Sequence, residues 1–283
     1  MLSYFDAVVL GVVEGLTEFL PVSSTGHLTV AEKILGSQVD DPVVTAYTII
    51  IQFGAIVATF IFFARKIGRL FLAWVRGLFD AERRGHDYTL AWAVIVGSLP
   101  VGVAGFLGRD LIAGPLRNLW VVAGALVLWS AVMVWAERRH DALAAVGDQR
   151  GEGQVSLRDG VLIGLAQCFS LIPGVSRSGA TISAGLLRGI DRVTATELSF
   201  FMAIPALTAA GVFQAVEERH GLASLGIGQM IVGIVVAFVV AYASIAWLLK
   251  FVATNSLMSF VSYRVVAGLA LAAALGLGWL AAT

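Results

Sequence analysis

With one cysteine, Cys168, in 283 residues, the chain can form no intramolecular disulfide and no cysteine-rich metal site. A small buried apolar residue is its plain reading. Only four histidines are present, and they do not cluster as a zinc centre requires. Charge is scarce too: 13% of residues are charged, where a soluble domain carries about 25%. The formal net charge is zero, so no basic surface argues for nucleic acid, and no nucleic-acid motif is found. What remains is apolar, with 58% hydrophobic residues and a mean hydropathy of +0.87, which points to an integral membrane protein. Residues 1–20 lack the marks of a cleaved signal peptide. Asp6, Glu14 and Glu18 interrupt the apolar run, the start has no basic residue, and no small-x-small site follows. The amino-terminal segment is therefore expected to belong to the fold.

Six apolar stretches approach the roughly 20 helical residues that cross a hydrocarbon layer. They cover about 43–64, 90–107, 119–136, 198–215, 228–249 and 259–281. Two further regions, 5–36 and 160–187, are apolar but broken by a turn, Leu20-Pro21-Val22-Ser23-Ser24-Thr25-Gly26 in one and Ile172-Pro173-Gly174-Val175-Ser176-Arg177-Ser178-Gly179 in the other. Neither half of either region is long enough to span, so each is expected to form a re-entrant helical hairpin. The basic residues agree. Arg65, Lys66, Arg69, Arg76, Arg83 and Arg84 fall in one link, and Arg138, Arg139, Arg150 and Arg158 in another, two crossings away. With Arg188, Arg192 and Lys250, thirteen basic residues lie on one side against five (Lys33, Arg109, Arg117, Arg219, Arg264) on the other. The positive-inside rule makes the richer side cytoplasmic and turns both termini outward.

The two broken regions resemble each other. Aligning Gly26 with Gly179 places Ser23 on Ser176, Ser24 on Arg177 and Glu14 on Gln167, and three crossings follow each region. The expected architecture is an all-α integral membrane protein, one membrane domain over 1–283. It has six transmembrane helices plus two re-entrant hairpins in an inverted-topology repeat, one copy over about 1–140 and the other over about 157–283.

Glu14 and Glu18 stand four apart, on one helical face, among Val12, Val13, Leu16, Phe19 and Leu20. Two carboxylates in such surroundings repel each other and resist desolvation unless a cation joins them. Hard oxygen ligands favour Mg²⁺ or Ca²⁺. A pair on a water-exposed face, or one proton shared for packing, is the plainer alternative, but ionisable residues inside membrane segments usually serve function. The turns offer the complement. Ser23, Ser24 and Thr25 open one short helix, and Ser176, Arg177 and Ser178 open the other, so free N–H groups, hydroxyls and helix dipoles make an anion site. Arg177 adds a planar fork suited to phosphate. The serines also read as N-caps, and Arg177 alone could snorkel to the interface. His27, three residues after Ser24, could serve as acid, base or orienting group. Together these groups suit an oligophosphate on a lipid.

Residues Glu14-Gly15-Leu16-Thr17-Glu18-Phe19-Leu20-Pro21-Val22-Ser23-Ser24-Thr25-Gly26-His27 and Pro173-Gly174-Val175-Ser176-Arg177-Ser178-Gly179-Ala180-Thr181 resemble the two signature motifs of undecaprenyl-diphosphate phosphatases, the bacitracin-resistance family. The likeness extends to chain length, Gln52, Gln167 and Glu197. It implies hydrolysis of undecaprenyl diphosphate to undecaprenyl phosphate and phosphate at the periplasmic face of the bacterial cytoplasmic (inner) membrane. That reaction recycles the carrier for peptidoglycan and confers bacitracin resistance. It implies a divalent cation, Mg²⁺ or Ca²⁺, on Glu14 and Glu18. By the matching positions Arg177 clamps phosphate and Ser24 pairs with His27, with Ser24, His27 or water left open as the nucleophile. Ser23, Thr25, Gly26, Gln167, Ser176, Ser178, Gly179 and Thr181 would hold the substrate. The implied partners are membrane lipids and a second copy in a homodimer. The inverted repeat also suits another class, a lipid-phosphate flippase or transporter using the same midplane site.

Overall fold

The computed structural model describes residues 2–37, 42–116, 118–217 and 225–282. Arg117 and Arg219, two of the basic residues placed on the outer side, lie outside the described residues. The described chain is helical: α1 (Tyr4–Thr17), α2 (Ser24–Ile34), α3 (Pro42–Phe62), α4 (Ala64–Phe79), α5 (His86–Leu107), α6 (Arg109–Ala113), α7 (Leu119–Ala145), α8 (Leu157–Gln167), α9 (Arg177–Leu187), α10 (Arg192–Glu217), α11 (Ile227–Thr254) and α12 (Met258–Gly276). The described residues form no sheet; one isolated bridge joins Arg150 to Ile190. Among the described residues six helices are long and apolar enough to cross a membrane: α3, α5, α7, α10, α11 and α12. These are the six expected stretches. α7 runs well past the expected end at 136, because its polar tail to Ala145 continues the helix beyond the apolar window. The 65–88 link contains α4, an amphipathic helix whose charges hid it from a hydropathy reading.

The broken regions begin alike. Ser3 caps α1 while the Asp6 carboxylate accepts from the Ser3 N–H at 2.8 Å. Ser156 caps α8 while Asp159 accepts from the Ser156 N–H at 3.0 Å. These are capping boxes of one design, at the same spacing that relates Gly26 to Gly179. Each helix then carries a Gly-xxx-Gly face, Gly11 and Gly15 on α1, Gly160 and Gly164 on α8. A methyl at Gly15 would sit 2.8 Å from the Ala237 carbonyl of α11, and one at Gly164 would collide with the Gly97 carbonyl of α5. Small residues thus let each short helix press its backbone against a long one. The partners are reciprocal. α1 packs on α11, the second long helix of the other half, and α8 packs on α5, the second long helix of the first half. The first long helices, α3 and α10, pack together, as do the third, α7 and α12.

The basic links meet in space. Lys66 pairs with Glu152 and, at 2.5 Å, with Glu197; Arg69 pairs with Glu152 at 2.9 Å. Arg192 binds Glu137 at 2.6 Å, and Arg150 and Arg188 both bind the fully buried Asp159. Lys66, Arg69, Arg150, Arg188 and Arg192, five of the residues assigned to one side by charge counting, are thus ion-paired across the links. Arg264 departs from that count. Counted on the other side, it is fully buried within α12.

Candidate active site

Two turns meet at the centre of the site, and their backbones are alike. Ser23 has φ 78° and Ser176 has φ 76°; they are the two non-glycine residues at positive φ among the described residues. A side chain in that region costs on the order of 1–3 kcal/mol and persists where its surroundings fix it. Here each serine is the N-cap of the helix that follows. Ser23 Oγ accepts from the Gly26 N–H at 3.4 Å, and Ser176 Oγ accepts from the Gly179 N–H at 3.1 Å. The two capped turns start α2 and α9 alike, and the free N–H groups at such helix starts favour an anion.

The side chains interlock across the turns. Glu18, buried at the end of α1, accepts from the Ser24 hydroxyl at 2.7 Å and from Arg177 Nη2 at 3.3 Å. Arg177 also donates to the Glu18 carbonyl at 3.3 Å and to the Ser199 carbonyl at 2.8 Å, and lies over the Phe19 ring. Ser178 donates to the Leu20 carbonyl at 2.9 Å, and Thr181 to Ser199 Oγ at 2.8 Å. Glu14, one turn before Glu18, is 1% exposed and within electrostatic reach of Glu18 and Arg177. Neither of its oxygens has a hydrogen-bond partner among the described residues. A buried carboxylate without partners is costly, and a hard cation shared with Glu18 would satisfy it. The residues present therefore fit a divalent ion. The other carboxylate and histidine groupings, His86 with Asp87 and Glu152 and Glu137 with His140 and Asp141, belong to the ion-paired end of the fold.

Glu14, Glu18, Ser24 and Arg177 thus come together. Ser24 and His27 do not pair in this arrangement. His27 Nδ1–H donates to the Ser23 carbonyl at 2.7 Å, which fixes the tautomer, and Nε2 accepts from the Tyr263 hydroxyl at 2.6 Å. Gly26 and Gly179 are buried at the helix starts, and Thr25 is exposed. Gln167, the counterpart of Glu14, is fully buried at the end of α8, with both amide atoms unpartnered among the described residues. Glu197 faces Lys66, away from this cluster.

Sequence reading missed Arg264. Its guanidinium donates to the Pro21 carbonyl of the first turn at 3.1 Å and to the Gly174 carbonyl of the second at 2.9 Å, and reaches Ala125 in α7 at 3.4 Å. It ties both turns to one wall of the fold. An arginine inside the 259–281 stretch was itself the signal, because an ionisable residue in a membrane segment is rarely idle.

Residues 7–270 match the family described as bacitracin resistance protein BacA. The chain is 52% identical to an undecaprenyl-diphosphatase of Acidothermus cellulolyticus over 274 residues, which is 96% of this chain and 97% of the relative. It is also 52% identical to undecaprenyl-diphosphatase 3 of Frankia casuarinae, over 94% of this chain and 95% of that protein. Identity to undecaprenyl-diphosphatase 1 of Streptomyces coelicolor is 50%, over 98% of each. Six apolar helices, two strained serine turns and the motifs those turns carry agree with one conclusion: the chain belongs to the bacitracin resistance protein BacA family.

Proposed function

We propose that the chain is a membrane phosphatase that hydrolyses undecaprenyl diphosphate to undecaprenyl phosphate and inorganic phosphate. The reading places it in the bacterial cytoplasmic membrane, with the two broken regions as re-entrant hairpins and the site opening toward the periplasm. There it recycles the carrier for peptidoglycan synthesis and confers bacitracin resistance. The observation that carries the reading is the cross-turn cluster of Glu18, Ser24 and Arg177 beside the unpartnered Glu14. Reciprocal packing of the two halves supports the inverted repeat.

Arg177 and the helix amino termini hold diphosphate oxygens and favour the charge that develops in the transition state. Glu14 and Glu18 would hold a divalent cation, Mg²⁺ or Ca²⁺, which would supply positive charge to offset that of the diphosphate. The Ser24 hydroxyl already donates to Glu18, so Glu18 is placed to take its proton. Ser24 Oγ then attacks the terminal phosphorus, the bond to the bridging oxygen breaks, and undecaprenyl phosphate leaves. Water hydrolyses the phosphoserine. His27, held on both ring nitrogens, fixes the turn from the side. The homodimer implied by the family is read separately, as mass in detergent. Purified protein supplied with undecaprenyl diphosphate in detergent releases phosphate; release no faster than in protein-free micelles would overturn the reading.

A further inference from the structure

A groove of about 420 Å³ runs along α7 beside the second turn. One wall is α7, with Trp120, Gly124 and Leu128; the other is Phe169 and Val175. From Trp120 to Val132 it follows α7 for about 18 Å at 1.5 Å per residue. Every lining side chain is aliphatic or aromatic apart from the gap at Gly124, and none is charged. That gap is real space, because a methyl built at Gly124 meets nothing within 4 Å. Trp129 and Phe169, both in the lining, have ring centroids 5.4 Å apart.

The inner end of the groove lies against the second turn, through Ile172 and Val175. Val175 lines the groove and is followed directly by Ser176 and Arg177. Ala125 lines it too, and its carbonyl is held by the same Arg264 that holds Pro21 and Gly174. Gly179, at the start of α9, lies against the Trp129 ring. A molecule with its diphosphate in the clamp must leave that polar centre along some apolar surface. This one begins at the second turn, whose Val175 directly precedes Ser176 and Arg177.

We propose that this groove is the binding site for the head-proximal isoprenoid units of the substrate's tail. The proposal rests on the phosphatase reading and deepens it, because the groove sets which lipid diphosphates are turned over well. An uncharged wall with aromatic ridges and a glycine gap suits a methyl-branched hydrocarbon.

Gly124→Phe fills the gap, and the measurement is kcat/KM for a C55 polyprenyl diphosphate against methyl diphosphate, which has no isoprenoid unit to enter the groove. The preference for the C55 substrate over methyl diphosphate is expected to fall by about tenfold or more, the effect of losing a few buried methylenes. Equal loss on both substrates, or no change on either, would overturn the proposal. A variant-independent measurement is a polyprenyl diphosphate carrying a diazirine in its second isoprene unit, photolysed with the unaltered protein. Label is expected on the peptide of 119–136 and at Phe169; label spread over the apolar exterior would overturn the proposal. If Gly124→Phe changes the mass of the protein in detergent, the groove is an interface between copies and the proposal falls. If the unaltered protein hydrolyses neither substrate, the phosphatase reading fails. The photolabel, which reports binding, then decides the groove alone.

Discussion

The two broken regions share one backbone and differ in charge. Both begin with a Ser-x-x-Asp capping box, press a Gly-xxx-Gly face on a long helix, and end in a serine at positive φ that caps the next helix. On that common frame the first region carries Glu14, Glu18 and Ser24, and the second carries Gln167 and Arg177. The asymmetry extends to the starts of the helices. Asp6 serves only its cap in the described structure, whereas Asp159 is fully buried under Arg150 and Arg188. A repeated fold thus supplies two helix amino termini, and divergence on it supplies one acidic arm and one basic arm.

The comparison breaks most sharply at the clamp. Arg177→Ala is expected to cut phosphate release about 10³-fold, because it removes the basic arm's contact with developing charge. Glu14→Gln and Glu18→Gln should each cost as much. Ordinary turnover in any of these variants would dissolve the two-arm account. Next come the two capping aspartates. Asp159→Asn leaves two arginines facing a neutral group and should cost about 3 kcal/mol of stability, while Asp6→Asn should cost under about 0.5 kcal/mol. Thermal unfolding in detergent reads both, and equal losses would erase the asymmetry.

The strained serines test what the arms share. Ser23→Ala and Ser176→Ala should each lose about 1 kcal/mol, since each removes a cap and keeps a backbone that alanine dislikes. Ser→Gly at either site should be milder, because glycine accepts the backbone. Unequal losses at the two serines would break the frame. The smallest effect lies outside the membrane, at Glu152. Burial would push its carboxyl up, but Lys66 and Arg69 hold it below its usual range. Its contribution is therefore present above the unfolded carboxylate pKa and lost as pH falls through the lower folded value. The Tm gap between the native protein and Glu152→Gln should shrink as pH drops from 7 toward 3.

Much of this was legible in sequence. Six spans follow from apolar length, and Glu14, Glu18 and Arg177 stand out because charge in an apolar run demands a reason. The serine–glycine alignment was legible too, and the capping boxes and the match of Gly11 to Gly164 could have lengthened it. Three features were not. α4 is hidden by its own charges, and the place of Arg264 depends on carbonyls some 90 and 240 positions away in sequence. Ser24 turns to Glu18 rather than to His27 because Tyr263, far along the chain, claims the imidazole. Long-range partners of this kind leave no local pattern.

The central claim, that an acidic arm carrying a cation works against a basic arm, is tested most directly by titrating Mg²⁺ into chelator-treated protein while measuring phosphate release from undecaprenyl diphosphate. The account predicts no release in chelator, full recovery with Mg²⁺ for the native protein, and no recovery for Glu14→Gln at concentrations that saturate the native protein. Undiminished turnover in chelator, or a Glu14→Gln titration that overlays the native one, would contradict it.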